Sequence, residues 1–96
     1  MNYRHGDVLL KIVDKSKGKK LKHLILAEGE VTGHLHQITK GDAELYDDNG
    51  TLYLHVDSDN AELTHEEHKT IILPKGDYEI TIQREYTPEG WQHVAD

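Results

Sequence analysis

Apolar and polar positions alternate along the chain in short runs. In "DVLLKIV", Val8, Leu10 and Ile12 alternate with Asp7, Leu9 and Lys11; in "YEITIQREY", Tyr78, Ile80 and Ile82 oppose Glu79, Thr81 and Gln83. A period of two marks a strand with one face buried. "LKHLILAEGE" reads as a further strand, and no amphipathic helix or internal repeat interrupts the pattern. "SDNAELTHEEH" has room for a single helical turn, capped by Asn60 or Thr64. The expected fold is therefore all-β: one domain over residues 1–96, built as a small antiparallel barrel or a two-sheet sandwich. "KSKGKKLK", residues 15 to 22, reads as a flexible Lys-rich loop between the first strands.

The turns set the register. Asn49-Gly50 lies between alternating runs, and both central residues of a type I′ turn need positive φ. That turn pairs Leu45 with Leu54, Ala43 with Val56 and Asp47 with Leu52 on an apolar face. Tyr46 then meets Tyr53, and Glu44 meets His55, on the other. Gly41-Asp42 suits a type II′ turn, which pairs Ile38 with Leu45 and His36 with Asp47. In "LPKGDY", Pro74 and Gly76 take positions favoured in a type I turn, and "TPEG" closes the last long strand.

Parity then places His34 and His36, in "GEVTGHLHQI", on the face of Ile38, pointing inward. Two inward imidazoles beside a carboxylate need partners. A second pair, His65 and His68 in "THEEHK", has Glu66 and Glu67 between. On a helical turn these histidines are neighbours, and the apolar run Ile71, Ile72, Leu73 anchors them against the core. The plain alternatives are a structural hydrogen-bond network for the first pair and an exposed charged loop for the second.

Composition narrows the chemistry. The chain has no cysteine, so any metal is held by His, Asp and Glu. Net charge is −7, yet residues 1 to 23 carry seven Lys/Arg against two acids and the remainder four against sixteen. The acidic remainder argues against a broad nucleic-acid face; the Lys15–Lys22 loop suits phosphates, with a solvated connection as the plainer reading. No apolar run approaches the roughly 20 residues that span a bilayer. The N-terminus lacks the apolar stretch of a signal peptide, which points to the cytoplasm and no membrane partner.

Neutral imidazoles with a carboxylate suit Zn²⁺, Fe²⁺, Mn²⁺ or Ni²⁺. The first functional reading is a metal-dependent hydrolase with His34, His36, His65 and His68 as ligands. In it Glu66 or Glu67 acts as base and Asp47 orients His36. The second is a metal-free phosphodiesterase or ribonuclease, in which histidines exchange protons and Arg84, Lys69 or the lysine loop holds the phosphate of a nucleotide or RNA. Tyr78 and Tyr86 share the face of Arg84 and suit stacking on a base. The third is a non-catalytic phage or host accessory protein with structural histidines. Oligomeric state and substrate stay open.

The "HLH" of residues 34 to 36 resembles the first metal motif of cupins, which implies His34 and His36 as metal ligands inside a β-barrel. The glutamate of that motif has no clean counterpart, since "QITKGDAE" offers Glu44 on the opposite face. Taken together, "GDVLL", "LAEGEVTGHLHQI", "LTHEEHKTIILPKGDYEITIQREYTPEGW" and "HVAD" resemble a family of small uncharacterised bacterial and phage proteins. That resemblance implies a shared core and supplies no reaction.

Overall fold

A computed structural model describes residues 2–28, 33–87 and 90–93, with side chains as far as residue 83. Ten strands follow in chain order: β1 (Asn2–His5), β2 (Val8–Val13), β3 (Lys19–Lys20), β4 (Ile25–Glu28), β5 (Leu35–Lys40), β6 (Ala43–Asp48), β7 (Thr51–Thr64), β8 (Ile71–Ile82), β9 (Arg84–Thr87) and β10 (Gly90–His93). The described residues hold no helix, so none is long and apolar enough to cross a membrane. β1 to β8 form one antiparallel sheet along β1-β2-β8-β7-β5-β4, with β6 beside β7 and β3 beside β6. β9 and β10 form a separate pair. The "TPEG" turn between them lies partly outside the described residues.

The Asn49-Gly50 turn forms as expected, with φ of 52° and 95° at its two central residues. Leu45 faces Leu54, Ala43 faces Val56 and Asp47 faces Leu52. Leu45 and Leu54 are fully buried, and burial of a leucine contributes about 1.5–3 kcal/mol. Tyr53, on the other face, is buried as well.

Gly41-Asp42 makes no hairpin. β5 pairs with the second half of β7 (Gln37 with Thr64, Ile38 with Leu63) and β6 with the first half. The chain therefore runs on in one direction along the same partner. The cause is the length of β7: its 14 residues outlast β6 and leave an edge for β5. Gly41 (φ 97°) permits the passage, since a Cβ there would stand 2.4 Å from the Asn60 carbonyl oxygen. "LPKGDY" is likewise no reversal; it lies within β8. Between Val56–Gly76 and Asn60–Pro74 the pairing leaves residues 57–59 opposite Lys75 alone, a bulge of the kind that bends the strand carrying it. Their two halves share one core that includes Val8, Leu10, Ile38, Leu63, Leu73 and Ile80.

The lysine segment is stitched down rather than free. Lys19 pairs with Asp47, Lys20 with Tyr46, and Lys20 Nζ lies 2.7 Å from Glu44 Oε2. With its edge strands β1 and β4 not hydrogen-bonded to each other, the sheet is open and not a closed barrel. It curls all the same: His5 of β1 meets His36 of β5.

Candidate functional site

Three segments deliver the histidine cluster. The first is the two-residue turn Gly6-Asp7 between β1 and β2, in which His5 pairs with Val8 and Gly6 takes φ 63°. Val8 is fully buried, so its partner His5 is drawn to the same face and is 2 % exposed. The second is the start of β5, with His34 just before it and His36 within it. The third is the loop 65–70 that joins β7 to β8.

That loop is not helical, contrary to the expected turn, because β7 stays extended through Thr64 and consumes the residues that would have begun it. It is fastened at both ends. Leu35 N donates to Glu66 Oε1 at 2.9 Å, and the Lys69 carbonyl accepts from His5 Nε2 at 3.0 Å. Within it Glu67 N donates to His65 Nδ1 at 3.0 Å.

The two pairs converge. Ring centroids of His36 and His65 are 4.3 Å apart, those of His65 and His68 4.6 Å, and those of His34 and His65 5.6 Å. His36, His65 and His68 each offer a ring nitrogen, all within 4.8 Å of one another; His34, His65 and Glu66 form a second such group. His34 and His36 therefore fall into different triads that share His65. His36 is 1 % exposed, whereas the side chain of His34 is a quarter exposed and lies 3.7 Å from Glu67 Oε2.

Asp47 does not orient His36. β5 never pairs with β6: His36 lies opposite Ala27, and Asp47 Oδ1 instead accepts from Gly50 N at 2.8 Å. The carboxylate beside His36 is that of Asp7, with Oδ1 3.6 Å from Nε2. Lys69 contributes its carbonyl, with its side chain exposed. The side chains of Arg84 and Tyr86 lie outside the described residues. Tyr78 is a core residue whose hydroxyl donates to the Pro74 carbonyl. His5 and Asp7 are absent from the sequence-derived site. Their signal was present in "HGDV", a glycine-first two-residue turn that sets His5 opposite an apolar residue.

Burial first, and then the neighbouring rings of His65, His5 and His68, push His36 down to about 3. Burial and the His68 ring lower His65 too. Both are neutral imidazoles at pH 7, the form that ligates metals. The Leu35 amide holds Glu66 below the ordinary carboxylate range. That makes Glu66 a fastening group or anionic ligand and a weaker base.

His55 stands apart. It faces Glu44 in the ladder but bonds Asp77 Oδ1 through Nδ1 at 2.7 Å, while Glu44 pairs with Lys20. His55→Ala is expected to cost less than about 1 kcal/mol and to leave metal affinity at the cluster unchanged, as read by urea unfolding and by cobalt titration.

Over residues 4–83 the sequence matches the family described as a domain of unknown function, DUF8820. The chain belongs to that family. The DUF8820 segment contains every histidine of the cluster and ends just after β8. No curated protein and no solved structure shows significant similarity to the chain.

Proposed function

We propose that this DUF8820 chain is a metal-dependent hydrolase whose divalent transition metal is held by His36, His65 and His68. The observation that supports the reading is the convergence of those three ring nitrogens at the meeting point of β5 and the 65–70 loop. Three imidazoles leave a coordination position for water or substrate, as catalytic zinc sites do. A metal there supplies Lewis acidity, polarising a carbonyl or phosphoryl oxygen and making water a better nucleophile at neutral pH. His36 and His65, kept neutral by burial, donate lone pairs. Glu66 holds the loop to β5 through Leu35. Glu67, whose Oε2 lies 3.7 Å from His34 Nδ1 on the exposed flank, takes the role of base in this reading. Zn²⁺ suits a site of three nitrogens; Fe²⁺, Mn²⁺ and Ni²⁺ accept the same ligands with added oxygens.

The test uses protein purified without a His-tag. Hydrolysis of ester, amide and phosphodiester substrates is expected to vanish on chelation and to return with one of these metals. Activity that survives chelation would reassign the cluster to metal-free proton exchange on RNA or nucleotides. Full metal occupancy without turnover of any substrate would make the chain a metal-binding accessory protein.

A further inference from the structure

Resting on the metal reading, we infer that His5 is a positioning residue: a relay from the Lys69 carbonyl through His5 to His36 fixes the tautomer of His36 and presents its Nε2 lone pair to the metal. A carbonyl oxygen only accepts, so His5 Nε2, 3.0 Å from the Lys69 oxygen, carries a hydrogen. In the neutral ring its Nδ1 is then an acceptor. The atom 2.9 Å from it is His36 Nδ1, and one hydrogen must lie between the two. That hydrogen belongs to His36 Nδ1, which leaves His36 Nε2 bare.

Nε2 does not donate to Asp7, whose Oδ1 stands 3.6 Å away, beyond hydrogen-bond distance. Both groups are shielded from water, His36 at 1 % exposure and Asp7 at 5 %. The far side of the ring is held as metal-ligating histidines are held, by a hydrogen bond from the other nitrogen to a fixed acceptor. Here that acceptor is a second histidine, itself pinned by the backbone of the loop that supplies His65 and His68. Loop position and His36 tautomer are thereby linked.

The test is a long-range proton–nitrogen spectrum of the imidazoles in the metal-free full chain, joined to a cobalt(II) titration. Wild-type protein is expected to show His36 protonated at Nδ1 and bare at Nε2, and His5 protonated at Nε2 alone. In His5→Phe the fixed tautomer should be lost and cobalt affinity should fall about 10- to 100-fold. In His5→Gln, whose amide donates to Lys69 and accepts from His36, both should recover. A hydrogen on His36 Nε2, two on His5, or unchanged cobalt affinity in His5→Phe would overturn the relay. If His5→Phe does not fold, the wild-type spectrum decides by itself. If wild-type protein binds no cobalt, the metal reading fails, while the nitrogen spectrum still decides whether His5 sets the His36 tautomer.

Discussion

The metal-free protein is expected to lose stability steadily as the pH falls below 6.5. His36 has that ordinary value in the unfolded chain and is pushed to about 3 in the fold. Between the two values the unfolded chain binds a proton that the folded one lacks, so acid favours unfolding. The slope is about 1.4 kcal/mol per pH unit, and the loss approaches about 5 kcal/mol by pH 3. His65, shifted in the same direction, adds to it. Well above pH 6.5, where the unfolded histidines are neutral too, neither group contributes a slope. Urea unfolding in chelator at pH 7, 5.5 and 4.5 measures this directly. His36→Leu should flatten the curve between pH 6.5 and 4.5; an unchanged slope would mean that His36 is not the buried group responsible.

Gly6→Ala is expected to unseat His68. A Cβ on Gly6 would stand 2.6 Å from His68 Nε2, and the residue sits at φ 63°. The backbone conformation alone costs an alanine about 1–2 kcal/mol. The contact falls on the end of a side chain, so His68 moves rather than the sheet, and its nitrogen leaves the triad. Metal affinity should drop at least about tenfold. Gly6→Asn separates the two effects, because asparagine tolerates positive φ yet still carries a Cβ. It should regain stability without regaining affinity. Full affinity in Gly6→Asn would show that His68 is not a ligand.

What could be read from the sequence was local. Asn49-Gly50 needs positive φ at both residues, and that demand alone set the register from Leu45 to Val56. The inward face of His36 was legible for a related reason: it shares parity with Ile38, and an isoleucine there had to be buried. Gly41-Asp42 was not legible. The same dipeptide serves a type II′ turn and a close passage over Asn60, and the choice depends on how far β7 extends, a non-local property. That one turn carried the carboxylate assignment with it, so Asp47 stood where Asp7 belongs. "THEEH" brought its two histidines together without a helix, through a loop held by Leu35 and His5. Convergence was expected from helical spacing; tertiary hydrogen bonds produce it.

Titration of the metal-free chain with cobalt(II), read by its visible absorption, decides whether His36, His65 and His68 together hold a metal. One equivalent is expected to bind, with the intense bands of a four-coordinate ion, and those bands should be lost in His36→Ala, His65→Ala and His68→Ala but not in His55→Ala. A spectrum that stays that of hydrated cobalt, or bands that persist through all three cluster substitutions, would contradict it.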